Sequence, residues 1–313
     1  MTQHHSNTHS QRGVALIMVL GMVAIIAAWA SMAAYEDMIA IKRATNIQDE
    51  VRATMASESA FELVKLYLKE DYKLTGDVDS LDEDWALGLP PFPIDDGMIG
   101  VVMVDSNRYY NLNDLVDNNG IPIQKHVAQL QRLFTSLSID DSLVDALVDW
   151  MDKDDRPYGT YGAEDAMYYD KDYKVKNARL DNLSELKLIL GFKPSIVRRL
   201  KHAVCVHPNT QNGTTKININ TAPTDVLMAL FPNMTKLDVE ALAENMPYED
   251  LNSINGLPWV ADGDLSRLSV GSDTFTLRTH ASFGRAQVRE EYLLLRTQLN
   301  VQLLWRERLG WQL

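Results

Sequence analysis

The sequence predicts an α+β chain interrupted by a helical insertion, and three observations carry that expectation. An apolar amino-terminal run passes without a break into a second helical pattern. Residues 98–105 and 273–308 are rich in the Val, Ile and aromatic residues of strands, yet lie far apart in the chain. Between them, from Tyr110 to about Leu268, the pattern is mostly helical. Strands separated in sequence can share one sheet, so the helical block reads as an insertion into an α+β unit.

The chain has 313 residues, a formal net charge of −13 and a pI near 5.0. That length supports a substantial core without disulfides or metals. Cys205 is the single cysteine, so no intrachain disulfide can form, and a small buried thiol is its plainest role. The acidity disfavours a general nucleic-acid binder, which relies on Lys and Arg, and fits calcium, basic partners or simple solubility.

The first element is the amino-terminal helix. Gly13 to Tyr35 carries no formal charge; Arg12 precedes it, and Glu36 and Asp37 follow. A spanning helix needs about 20 apolar residues, whereas a secretory h-region has roughly 7–15. The single Arg favours an amino terminus on the cytoplasmic side. The stretch "ASMAA" loosely resembles a signal cleavage site, but the helical pattern continues beyond it. Ile47, Val51 and Met55 recur at intervals of four, followed by Phe61, Val64 and Leu68. No proline occurs before Pro90, and no glycine lies between Gly21 and Gly76. One helix over residues 14–69 would be about 80 Å long at 1.5 Å per residue. Its 14–35 half is apolar all round, and its 36–72 half is amphipathic.

Residues 74–97, "LTGDVDSLDEDWALGLPPFPIDDG", read as a loop because of their acids, glycines and Pro90, Pro91 and Pro93. "MIGVVMVD" (98–105) reads as a strand. "VAQLQRLFTSL", "SLVDALVDWMD", "LSELKLILG", "PSIVRRLKHAV", "PTDVLMALF" and "LDVEALAENM" read as short helices. "DTFTLRTHASFG" and "VREEYLLLRTQLNVQLLWRER" return to strand character. A faint repeat sets "NLND" (111–114) against "NINT" (218–221), each before helices, with Asn113 and Thr221 as candidate helix caps.

The segment "DWMDKDDRPYGTYGAED" and its continuation crowd Asp149, Asp152, Asp154, Asp155, Glu164, Asp165, Asp170 and Asp172. Pro157, Gly159 and Gly162 break it into a loop. Such carboxylates repel unless solvated, protonated or bound to a cation. Calcium takes 6–8 oxygen ligands, so a calcium loop and a solvated acidic loop both stand on the residues alone. The loop is not an EF-hand: counting Asp152 as position 1 puts Ala163 at position 12. "KININTAPTDVLMALF" resembles the start of a DNA-binding helix-hairpin-helix, a motif whose glycine–apolar–glycine turn presents amides to phosphate. The corresponding turn here, "FPNMT", has no glycine, so the scaffold without its phosphate site is expected. His202 and His207 lack zinc-protease spacing, and no Walker loop or Gly-x-Ser-x-Gly elbow occurs.

A short polar leader ending in Arg-Gly, followed by an apolar helix that becomes amphipathic, resembles type IV pilin and pseudopilin precursors. The resemblance implies peptidase cleavage between Gly13 and Val14, with methylation of Val14. That family usually has Glu at the fifth mature position, which is Met18 here. The K-type minor pseudopilins of type II secretion typically have an apolar residue there. Further patterns resemble that subclass in order and spacing: "SNRYYNLNDL" (106–115), "LVDWMDKDDRPYGTYGAEDAMYY" (147–169), "NLSELKLILGF" (182–192), "KININTAPTDVLMAL" (216–230) and "LSVGSDTFTLR" (268–278).

The resemblance implies a pilin-like fold, a long helix packed on an antiparallel sheet, with a large all-α insertion domain. Residues 1–13 would be a leader, 14–35 the transmembrane half of the helix and 36–72 its amphipathic half. Residues 73–109 and 269–313 would form the pilin-like unit, and 110–268 the insertion. It further implies structural calcium, with Asp152, Asp154, Glu164 and Asp165 as first ligands and Asp149 and Asp170 next. It implies a non-enzymatic subunit at the pseudopilus tip that starts filament assembly for export of folded proteins. The implied partners are the I-type and J-type minor pseudopilins, the major pseudopilin filament, the prepilin peptidase and the inner membrane, with no nucleic acid. The bulk of the chain would lie in the bacterial periplasm. The rival readings are a single-pass periplasmic enzyme and a membrane-tethered DNA-binding module.

Overall fold

The computed structural model describes residues 9–208, 214–261 and 263–310. Most of the expected leader, residues 1–8, and the last three residues lie outside the described residues. Helix α1 runs from His9 to Thr75, 67 residues and so about 100 Å at 1.5 Å per residue. It extends past both expected ends because nothing breaks it until Gly76. That glycine has φ +74° and donates its amide to Tyr72 O at 3.0 Å, a left-handed helix stop. Up to Tyr35 the apolar side chains of α1 are exposed all round, Ile17 and Trp29 by 71% and 72%.

The buried face of the second half is not the one that the sequence suggests. Ile47, Val51 and Met55 point away from the sheet, each more than half exposed. The face against the sheet is Ala53, Ala56 and Ala60, then Phe61 and Leu68. Alanines let helix and sheet approach closely, and the larger pair fills the wider end. Phe61 stacks on Tyr292 with ring centroids 4.9 Å apart.

A short helix, α2 (Asp84–Leu87), precedes strands β1 (Leu89–Ile94) and β2 (Gly97–Asp105). The loop expected at 74–97 therefore contains a strand. Proline lacks an amide donor and is tolerated only where that donor would be unpaired. Pro90, Pro91 and Pro93 sit on the sheet edge, beside an irregularity in register between Leu89 and Phe92. The chain then enters the helical region through β3 (Tyr110–Asn111), α3 (Gln124–Ser136), α4 (Leu143–Met151), α5 (Pro194–Leu200) and β4 (Val204–Cys205). It continues through β5 (Ile217–Asn218), α6 (Thr224–Leu230), α7 (Lys236–Ala243) and β6 (Leu268–Ser269). Strands β7 (Thr274–Phe283), β8 (Ala286–Arg296) and β9 (Val301–Arg308) complete an antiparallel sheet of order β1-β2-β7-β8-β9. The register sets Ile99 opposite Ala281 and Leu277 opposite Tyr292, all facing α1. A separate core, built from residues between Tyr110 and Leu268, holds the helical region together.

The faint repeat is a repeated backbone unit. β3 pairs with β4 in parallel, and β5 with β6. Asn111 Oδ1 accepts from Asn113 N at 3.2 Å, and Asn218 Oδ1 accepts from Asn220 N at 2.9 Å. The capping asparagines are thus Asn111 and Asn218, two residues ahead of the amide they hold, as in an Asx turn. Asn113, expected as a cap, instead clamps the Leu180 backbone through both its amide groups, at 2.9 and 2.8 Å. Asn220 clamps Tyr248 likewise, at 3.0 and 2.8 Å. Thr221, the other expected cap, donates to buried Asp105.

These polar groups join the two regions at the far end of α1. Arg296, buried, pairs with Asp71 at 3.1 Å, with Asp79, and with Ser272 O at 2.8 Å. Asn218 Nδ2 donates to Asp79 O at 3.0 Å.

Candidate metal centre

Helix α4 starts the site. Its four-residue spacing puts Asp145 and Asp149 on one face, and Asp152 caps its carboxyl end. The chain then folds back over these carboxylates. Asp149 Oδ1 accepts from Tyr158 N at 2.8 Å, and Asp145 Oδ2 accepts from Thr160 N at 3.1 Å and Tyr161 N at 3.2 Å. The fold-back depends on two glycines. Gly159 has φ +59° and would drive a Cβ into the Asp145 carboxylate; a Cβ at Gly162 would strike Asp149 Oδ2. Behind the loop, Trp150 packs against Tyr168 and Tyr173 with centroids 5.9 and 6.3 Å away.

Three carboxylates converge here. One oxygen each from Asp149, Asp152 and Glu164 lies within 4.8 Å of the others, and all three residues are at least 95% buried. Asp149 Oδ2, Asp152 Oδ1 and Glu164 Oε1 have no hydrogen-bond partner. Burial first, then mutual repulsion and the nearby Asp154, raises Asp152 and Glu164 to about 7. Burial, against the amide bonds that Asp149 accepts, raises that group to about 6. Orphaned buried oxygens that repel one another fit a hard cation, which takes oxygen ligands. Asp154 adds a nearby negative charge and accepts from Arg156 N at 2.9 Å.

Two other candidates stand apart. Asp165 pairs with Lys174 at 2.7 Å and accepts from Val175 N at 3.0 Å, which lowers its pKa. Asp170 is exposed and pairs with Lys171 at 3.0 Å. Both carboxylates are therefore turned to lysines rather than to the cluster. Asp145 was not among the sequence candidates, although its spacing from Asp149 was a readable signal.

A second acidic group, Asp71, Asp79 and Glu83, has similar spacing but already holds a cation, the Arg296 guanidinium. Gly13 and Val14 lie in the exposed early turns of α1, and nothing lies within 4 Å of a Cβ placed at Gly13. Met18, one helical turn on, is exposed. Cys205 is held against Ser106 O and Tyr109 O, and burial raises its thiol pKa.

Two family models described as type II secretion system protein K match residues 109–209 and 217–278. The chain is also 32% identical to type II secretion system protein K of Pseudomonas aeruginosa, over 71% of this chain and 68% of that one. This chain belongs to the type II secretion system protein K family. Its match to the Aeromonas hydrophila member is 28% identical and covers 96% of this chain and 97% of that one. The solved GspK-GspI-GspJ complex from enterotoxigenic Escherichia coli contains a chain 26% identical, with TM-score 0.71, over 86% of this chain and 99% of that one. Protein K members are minor pseudopilins, and this member has the α+β architecture expected of one. The one helix long and apolar enough to span a membrane among the described residues is compatible with one pass through the inner membrane.

Proposed function

We propose that this protein caps the pseudopilus tip and initiates its assembly for export of folded proteins across the outer membrane. The carrying observation is where the insertion sits. Its Asn218 and Thr221 bond to Asp79, just past the end of α1, and to Asp105 on β2, and Arg296 ties Asp79 to Asp71 on α1; the end of α1 is about 60 Å beyond Tyr35 at 1.5 Å per residue. A subunit with such a bulk above its helix suits the end of a stack of helices better than its middle. Val14–Tyr35 would span the inner membrane after cleavage at Gly13 and methylation of Val14, leaving the rest in the periplasm. The exposed Ile47, Val51 and Met55 would then pack on neighbouring pseudopilin helices. Apolar Met18 would suit a first subunit, which has no subunit ahead to pair with a carboxylate.

The role proposed is structural rather than enzymatic. Asp149, Asp152 and Glu164 would hold calcium, with Asp154 beside them. Bound there, the ion would neutralise the cluster and pin the loop from Asp152 to Glu164 onto α4. The amides of Tyr158, Thr160 and Tyr161 already hold that loop in place for it. Partner assignment rests on the relative solved with GspI and GspJ. Co-expression with the I-type and J-type minor pseudopilins tests the reading: a stable 1:1:1 complex is expected. Failure to associate with either, alone or together, overturns the tip assignment.

A further inference from the structure

The repeated unit of the inserted domain carries opposite charge in its two copies. After the Asn113 clamp at Leu180, residues 181–202 hold five Lys or Arg against two Asp or Glu. After the Asn220 clamp at Tyr248, residues 249–267 hold four acids against one Arg. Both segments form the same kind of hairpin. Leu183–Leu188 and α5 flank Gly191 (φ +87°), and Asn252–Ile254 and Pro258–Val260 flank Gly256 (φ +110°). The scaffold forms with either sign, so folding does not require the basic charge of the first hairpin.

Nor is most of that charge used inside the molecule. Lys171, Lys174 and Lys176, just upstream, are each ion-paired. Arg199 donates to Leu137 O and Ser138 O at 3.0 and 2.8 Å. Lys187, Lys193, Arg198 and Lys201 are exposed and have no ion pair or side-chain hydrogen bond among the described residues. Helical spacing puts Arg198 beside Lys201 and exposed His202, opposite buried Val197 and Leu200. The backbone beneath is fixed: Phe192 meets Phe134 edge-on at 6.2 Å, and a Cβ at Gly191 would strike Leu143. These cations are therefore presented on a rigid support, which lowers the ordering cost of association.

From this we infer that the hairpin of residues 183–202 is a docking surface for an acidic protein surface. A phosphate polyanion fits less well. The turn reads Gly191-Phe192-Lys193, without a second glycine to bring amides to phosphate. The anchoring membrane lies tens of ångströms away along α1, beyond a Debye length of about 8 Å. That last point rests on the membrane reading of Val14–Tyr35; the charge argument does not.

Poly-L-glutamate serves as the acidic polypeptide probe, immobilised and titrated with the full chain in nonionic detergent, at 50 mM salt with calcium present. Binding is expected, and R198E/K201E should weaken it at least tenfold. R198Q/K201Q, which keeps the helix-forming character, should weaken it by a smaller factor. K216E/K236E makes the same change in net charge at exposed sites elsewhere and should change affinity less than threefold. The inference is overturned by no binding of the wild-type chain, by equal loss in the two charge-reversed pairs, or by tighter binding of an oligothymidylate of matched charge. None of those outcomes bears on tip assembly, which the co-expression experiment reads separately.

Discussion

Replacing Asp152 with Asn separates a metal centre from an ordinary buried acidic cluster, because the two predict opposite signs. The three clustered oxygens lie within 4.8 Å of one another. At an effective dielectric of about 20, two unit charges at that separation repel by about 3.5 kcal/mol. At pH 8, above the values of about 6 for Asp149 and about 7 for Asp152 and Glu164, all three ionise when no metal is present. D152N removes two of the three repulsions, so in EDTA the variant should melt above the wild type. With calcium the order reverses. A site with Kd of about 10 μM in 1 mM calcium gains about 2.7 kcal/mol by mass action. For a chain of this size that raises Tm by about 4 °C. The variant should gain less than about 2 °C. Differential scanning calorimetry of the detergent-solubilised protein, with EDTA and with 1 mM calcium, reads both effects. A wild-type Tm indifferent to calcium, or a D152N chain less stable than wild type in EDTA, refutes the reasoning.

Other perturbations test other parts of the structure. Arg296→Met leaves Asp71 and Asp79 buried without their cation, and urea unfolding should show a loss of about 3–5 kcal/mol. Burial first raises Glu83 to about 7 from an unfolded value near 4.5. Its protonated form therefore stabilises the fold at low pH, and that contribution is lost as pH rises through 7. Relative to Glu83→Gln, the wild type should lose stability between pH 5 and pH 8; parallel profiles would show that Glu83 does not titrate there. Met18→Glu places a carboxylate in the membrane half of α1 with no amine to meet, at a cost of up to about 2.5 kcal/mol. Co-purification with the I-type and J-type subunits should fall, and unchanged recovery would show that the position tolerates either residue.

The sequence made some of this architecture readable and hid the rest for physical reasons. Strands β2, β7 and β8 show in their composition, because one face packs on α1 while the other meets water, and β9 shows in its apolar residues although Val301 is its only buried one. β1 did not, since Pro90, Pro91 and Pro93 signal a loop unless the neighbouring strand is known. The four-residue apolar spacing at Ile47, Val51 and Met55 reports helix correctly, but periodicity does not say what each face meets. The sheet took the alanine face instead. In the acidic loop, closeness in sequence could not separate Glu164 from Asp165. Adjacent residues in the loop point different ways, and Lys174 captured the second. The spacing of Asp145 from Asp149 was readable, but its role, accepting two backbone amides, exists only after the loop folds back.

The central claim, that this is a processed pseudopilin and not a conventionally anchored protein, reduces to one covalent fact at the amino terminus. Intact-mass and peptide mass spectrometry of the chain purified from a type II-secreting bacterium reads it directly. The account predicts a mature chain beginning at N-methylated Val14. A chain that retains Met1, or one that begins near Tyr35, would contradict it.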